Sequence, residues 1–164
     1  MRRHIIITDK LYTMRYISKA CLLAIFLNAS CSLFAQKDSV RLACPFEHGS
    51  GREPKEAFTW QPKDEKVIMI SKVDTIVRSC INGTVSNVNA TEDGKYEIVI
   101  FYSNLYFWYY GVAKPWVKKG DRVAARQAIG SYTFGTELEF RMFRNEDQLD
   151  PRNLLECKIP RADE

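Results

Sequence analysis

The chain has 164 residues and a formal charge of +4, but residues 1–35 carry five Lys or Arg and one Asp, which is the whole of that charge. The 129 residues that follow hold 19 basic and 19 acidic side chains, so charge implies neither nucleic acid nor a membrane surface as a partner. They suit one domain and contain no internal repeat and no low-complexity tract.

Residues 14–36 read as a secretory signal. Arg15 and Lys19 supply positive charge, residues 20–27 an apolar core, and Leu33-Phe34-Ala35 a cleavage site before Gln36. An apolar run of eight residues falls far short of the roughly 20 that span a bilayer, so the expected destination is periplasmic or secreted, with no stable membrane span in the mature chain. Residues 1–13 read as an extension ahead of a start at Met14. Lipidation would use Cys31, but the position three before it, where an aliphatic residue belongs, holds Asn28.

Residues 36–65 are polar and punctuated by Pro45, Gly49, Gly51, Pro54 and Pro62, which predicts an irregular arm docked by Phe46, Phe58 and Trp60. From residue 66 the signals are β. Strands are predicted at 66–71, 75–80, 83–89, 95–103, 105–112, 122–125, 128–132 and 137–143, each rich in β-branched or aromatic residues. Asp93-Gly94 predicts a hairpin and Lys119-Gly120-Asp121 a turn. Pro151 opens a last turn that Asp150 can cap. Residues 66–157 are therefore expected to form the core domain, and 158–164 a polar tail.

Three cysteines follow the signal, Cys44, Cys80 and Cys157, which allow one disulfide and one thiol in an oxidising compartment; Cys80 with Cys157 is the expected pair. Asn82-Gly83-Thr84 and Asn89-Ala90-Thr91 fit an N-glycosylation pattern, and Asp38-Ser39-Val40 and Asp74-Thr75-Ile76 an O-glycosylation pattern. The run Tyr102, Tyr106, Phe107, Trp108, Tyr109, Tyr110 is dense in aromatics. Alternation sends half of it into a core, and the other half could stack on sugars or anchor a protein, with Trp108, Tyr109 and Tyr110 the candidates.

Residues 116–140 carry a pattern with a wider match. Lys118-Lys119-Gly120-Asp121-Arg122-Val123, Ala128-Ile129-Gly130 and Glu137-Leu138-Glu139-Phe140 follow one another, preceded by Asp74-Thr75-Ile76-Val77, Asn82-Gly83-Thr84-Val85 and Phe107-Trp108-Tyr109-Tyr110-Gly111-Val112 and closed by Asp150-Pro151-Arg152-Asn153-Leu154-Leu155. In this order they resemble the lysostaphin-type (LytM-like) peptidoglycan metalloendopeptidases over residues 64–155. The glycine-turn pattern alone also fits biotinyl and lipoyl carriers, yet no modifiable lysine stands at a hairpin tip here. The resemblance implies an all-β fold, a compact antiparallel barrel-like sandwich built as a duplicated hybrid motif.

It also implies a zinc site, and that is where the sequence departs. The three ligand positions fall on Asp64, Ile68 and Glu139, and the two assisting histidines on Glu137 and Gly111. His4 and His48 are the only histidines in the chain. A catalytic zinc takes three protein ligands and a water, and isoleucine offers no lone pair. The segment between Gly130 and Glu137 is also shorter than the loop that walls the family's cleft. A degenerate domain with its zinc ligands lost is expected: no catalytic residues, no metal, no cofactor, and a role in binding peptidoglycan or a cell-wall hydrolase or other envelope partner. Two alternatives remain. Glu137 and Glu139 share a strand face and could hold Ca²⁺ or do carboxylate hydrolase chemistry, or simply face Arg126 or Lys114 as a solvated pair. The chain could also be a structural envelope protein.

Overall fold

The computed structural model describes residues 40–55 and 63–159. The signal, the Ala35 cleavage site, Cys31, Phe58 and Trp60 lie outside the described residues. Among those residues the secondary structure is all β, and no helix is long and apolar enough to cross a membrane.

The strands in chain order are β1 (Ser50–Arg52), β2 (Val67–Ile70), β3 (Ile76–Arg78), β4 (Gly83–Ala90), β5 (Tyr96–Tyr102), β6 (Leu105–Val112), β7 (Lys114–Pro115), β8 (Arg122–Val123), β9 (Ala128–Ser131), β10 (Leu138–Arg144) and β11 (Asp147–Leu149). The larger sheet runs β1-β2-β10-β6-β5-β4-β8, with β11 added to β10, and the smaller runs β3-β9-β7. Every strand pair is antiparallel. All eight strands expected from the sequence are present, within a few residues of the expected limits.

Alternation decides which side chains the larger sheet buries. In β6, Leu105, Phe107 and Tyr109 point inward, while Tyr106, Trp108 and Tyr110 stay half exposed. In β10, Leu138, Phe140 and Met142 point inward, and Glu139, Arg141 and Phe143 do not. The inward rings pack on one another, Tyr109 with Phe140 at 5.2 Å and Phe107 with Phe140 at 6.4 Å between centroids. Val77 of β3 and Ile129 of β9, both with no exposed surface, belong to the same core from the smaller sheet.

The hairpin expected at Asp93-Gly94 is present, with β4 and β5 antiparallel. Asp93-Gly94 does lie between β4 and β5, but within a loop of residues 91–95 where only Gly94 takes a positive φ. A tight two-residue hairpin instead lies at Ser103-Asn104, both at positive φ (47° and 65°), joining β5 to β6 with Tyr102 opposite Leu105. Asp150 caps the last turn as expected, its carboxylate accepting from the Arg152 N–H at 2.9 Å.

The packed unit starts well upstream of residue 66. Leu42 and Phe46 are buried at 0% and 2% exposure, Leu42 bridges Leu155 in parallel, and β1 adds to the edge of β2 with Gly51 opposite Met69. The sequence suggested an irregular polar arm because Leu42 finds its partner at Leu155, about a hundred positions away.

The disulfide expectation is corrected by the same contacts. Cys44 is joined to Cys157 with a Cα–Cα distance of 5.1 Å, and Cys80 is the free thiol. The Glu156 N–H donates to the Leu42 carbonyl at 2.9 Å, which brings the two partners side by side. Cys80 instead lies in the core, where burial pushes its thiol up to about 12. Its backbone N–H donates to the buried Tyr109 hydroxyl at 2.7 Å.

Candidate functional site

The outer face of the larger sheet carries the chemistry. Its strands align residues in cross-sheet rows, and one row reads Arg52, Ile68, Glu139, Tyr110, Glu97, Asn89 from β1 through β2, β10, β6 and β5 to β4. The next row places Arg141 opposite Trp108, and Trp108 opposite Val99. Residues directly opposite one another point to the same side, so Glu139, Tyr110, Trp108 and Arg141 form one surface patch. With Glu97 and Phe143 they line a cleft of about 390 Å³.

The positions that the resemblance assigned to metal ligands meet at the β2 end of this patch. Asp64 precedes β2, and Ile68 lies opposite Glu139 in register, buried to 3% exposure. Two cations stand between the carboxylates. The Lys66 ammonium is 3.4 Å from Asp64 Oδ2 and 3.2 Å from Glu139 Oε1, and the Arg141 guanidinium is 3.6 Å from Asp64 Oδ2 and 3.1 Å from Glu139 Oε2. Asp64 Oδ1 also accepts from Gln148 at 2.9 Å and from the Lys66 N–H at 3.1 Å. Partial burial raises the Asp64 carboxyl, but these hydrogen bonds and the two cations outweigh it and hold the group below its usual value.

Such a set does not fit a three-ligand zinc centre. It offers two carboxylates already neutralised by protein cations, an aliphatic side chain at the third position, and no imidazole. Glu137 is no closer to a metal site, since it is paired with Arg52. Gly111 is a bulge residue: Tyr110 lies opposite Glu97 and Val112 opposite Tyr96, which leaves Gly111 between them at φ +104°. A Cβ there would sit 2.7 Å from the Glu137 carbonyl oxygen, so this position has no room for a side chain without a shift of the backbone.

Two sequence expectations are corrected on this face. Arg126 and Lys114 are not the partners of the Glu137–Glu139 pair: Arg126 binds Glu156 at 2.9 Å, and Lys114 belongs to β7 in the smaller sheet. The true partners are Arg52 for Glu137 and Lys66 and Arg141 for Glu139. Tyr109 is not a surface contact, since it has no exposed surface. Trp108 and Tyr110 do reach the outer face, where Trp108 packs against Phe143 at 5.7 Å between centroids.

A second cluster was not foreseen. Glu47, His48 and Asp74 bring ligand-type atoms within 4.8 Å of one another. Asp74 accepts from Ser71 Oγ at 2.7 Å and from the His48 N–H at 3.0 Å, while Glu47 pairs with Arg78 at 2.7 Å. Burial raises the Asp74 carboxyl, and the Ser71 and His48 hydrogen bonds more than offset it, leaving the group below its usual value. The chemistry on view is turn capping with a histidine–carboxylate pair. Of the sequon residues, Asn82 accepts from the Ala125 N–H at 2.8 Å and Asn89 donates to Glu97 at 2.7 Å, so both serve local structure.

No family model and no curated protein sequence matches the chain. Solved structures do. Csd3 of Helicobacter pylori, in its hexagonal crystal, matches with a TM-score of 0.60 at 19% identity over 72% of this chain and 34% of Csd3. This chain thus spans about a third of that protein. Lysostaphin matches at 0.54 and 21% identity over 70% of this chain and 53% of lysostaphin. The fold is that of the lysostaphin-type peptidase domains. A structure of the SpoIIQ–SpoIIIAH pore-forming complex has it too, at 0.57 and 16% identity over 72% of this chain and 92% of the matched one. The lysostaphin-type fold therefore occurs both in peptidase domains and in a protein assembled with a partner.

Proposed function

We propose that this chain is an exported, non-catalytic module of lysostaphin-type fold that binds cell-wall peptidoglycan, directly or through a wall-associated protein. One observation carries the reading: Lys66 and Arg141 occupy the space between Asp64 and Glu139, and Ile68 closes the remaining ligand position. Protein cations replace the charge that a metal would bring, and they cannot lower the pKa of a bound water or polarise a carbonyl as a Lewis acid. Export rests on residues 14–36, and the SpoIIQ–SpoIIIAH match is a precedent for this fold in a protein that assembles with a partner.

The test is elemental analysis of protein purified without chelator, joined to co-sedimentation with peptidoglycan sacculi and assay of released fragments. The expected result is substoichiometric zinc, retention on sacculi or on a wall protein bound to them, and no fragment release. Stoichiometric zinc with chelator-sensitive release would restore the hydrolase. No metal, no retention and a concentration-dependent oligomer would instead favour a structural envelope protein.

A further inference from the structure

We infer that the outer face of the larger sheet is a platform for an uncharged glycan strand, with Trp108 and Tyr110 as the stacking surface and Glu97, Glu139 and Arg141 as its hydrogen-bonding edge. This deepens the wall-binding reading and rests on it, because it names which component of the wall is held and where.

Sugar rings impose two requirements on a site that reads them. Their C–H faces are apolar and lie flat on aromatic rings, while their hydroxyl and amide groups, directed outward around the ring, need planar donors and acceptors beside the stack. Both are met here in one register. Tyr110 and Trp108 are two residues apart on β6, about 6.8 Å along the strand, so they present successive rings on one side of the sheet. Phe143 lies beside Trp108, and Tyr106 extends the strip, packing on Phe101 at 5.0 Å between centroids. Glu139 and Glu97 flank Tyr110 from the two neighbouring strands, and Arg141 flanks Trp108. The aromatic and polar groups that line this cleft on β6 and β10 are half-buried, each with a face open to solvent.

Charge narrows the ligand class. Glu139 is paired with Lys66 and Arg141, so the metal-ligand end of the cleft is balanced. Glu97 Oε1 accepts from the neutral Asn89 amide, so the far end carries one carboxylate with no cation paired to it. A nucleic acid or an acidic polysaccharide would need a surplus of cations, and a basic peptide a surplus of carboxylates. Aromatic rings alternating with polar groups whose charges cancel except at Glu97 suit a polymer rich in hydroxyls and amides that carries no charge along its backbone.

The probe is chitotetraose, an uncharged chain of N-acetylated hexosamines, titrated into the full chain by calorimetry, with sacculi co-sedimentation and thermal melts run alongside. Trp108→Ala and Tyr110→Ala are each expected to weaken chitotetraose binding by at least about tenfold. Trp108→Phe, which keeps a stacking ring, is expected to stay within about threefold of the parent. Both alanine variants should melt as the parent does, since these side chains are outside the core. Chitotetraose binding that survives both alanine substitutions overturns the inference. Sacculi binding without chitotetraose binding also overturns it, placing wall contact on stem peptides while leaving the wall-binding reading intact. Loss of a protein partner in Trp108→Ala with no sugar bound by the parent makes the face a protein interface. Failure to bind either sacculi or chitotetraose, with no wall protein retained, removes both readings.

Discussion

The two faces of the larger sheet are built from the same strands and obey different physics. On the inner face, Phe107, Tyr109, Leu138 and Phe140 have no exposed surface, and shape and apolar area hold them. On the outer face, Glu139, Arg141, Trp108 and Tyr110 are half exposed and held by ion pairs and ring contacts. A one-residue step along β6 or β10 crosses from one regime to the other. Stability is therefore concentrated on one face, and the other is left to vary chemically on an unchanged frame.

That contrast can be broken at its strongest point by emptying the inner face. Phe140→Ala is expected to cost about 3–5 kcal/mol in urea unfolding, because its ring touches both Tyr109 and Phe107. An effect near that of an outer-face substitution would dissolve the distinction. The covalent closure of the same unit comes next. Breaking Cys44–Cys157, whose partners are 113 residues apart, should cost about 2–5 kcal/mol. Thermal melts with and without reductant read it, and Cys80→Ser should leave the disulfide intact by mass spectrometry.

Where the two faces meet at the β6 bulge, Gly111→His tests whether a catalytic residue could be put back. Its φ of +104° and the 2.7 Å approach to the Glu137 carbonyl predict a loss of about 1–3 kcal/mol or more and no gain of zinc binding. A stable variant that takes up stoichiometric zinc would contradict the fit argument. A smaller inner-face change removes a single atom. Tyr109→Phe leaves the Cys80 N–H without its buried acceptor and should cost about 1–3 kcal/mol.

The smallest effect belongs to the outer face and is a pH dependence. The Asp64 carboxyl lies below its ordinary 3.8 in the folded protein, so its stabilising contribution is complete above about that pH and is lost as pH falls through the depressed folded value. Asp64→Asn should accordingly lower stability by less than about 1 kcal/mol near neutrality, a gap that closes in acid. Urea melts between about pH 2 and 7 follow it; a gap that widens in acid would reverse the assigned sign.

Much of the frame was legible because period-2 patterning is local. Leu105, Phe107 and Tyr109 alternate with Tyr106, Trp108 and Tyr110 in the letters themselves, and the structure separates them accordingly. The same rule separates Tyr109 from Trp108 and Tyr110, so naming all three as one contact surface went against it. Contacts between distant segments were not legible. Nothing near Leu42 announces Leu155, and without that bridge Cys44 cannot be matched to Cys157. β7 and β11 span two and three residues, too short to carry a period. At the candidate site, the loss of donors at Ile68 and Gly111 was readable, whereas the two cations between Asp64 and Glu139 emerged only once register placed β2 beside β10.

All eleven strands among the described residues lie inside the covalent loop that Cys44 and Cys157 close. Tension applied upstream of Cys44 and downstream of Cys157 would pass straight across the sulfur–sulfur bond. The sheets between them would carry no load, and the outer face would keep its shape while the chain is pulled. The Leu42–Leu155 and Ser50–Lys158 bridges, each with one partner outside the loop, would be loaded first, and only reduction would pass the force on to the strands within it.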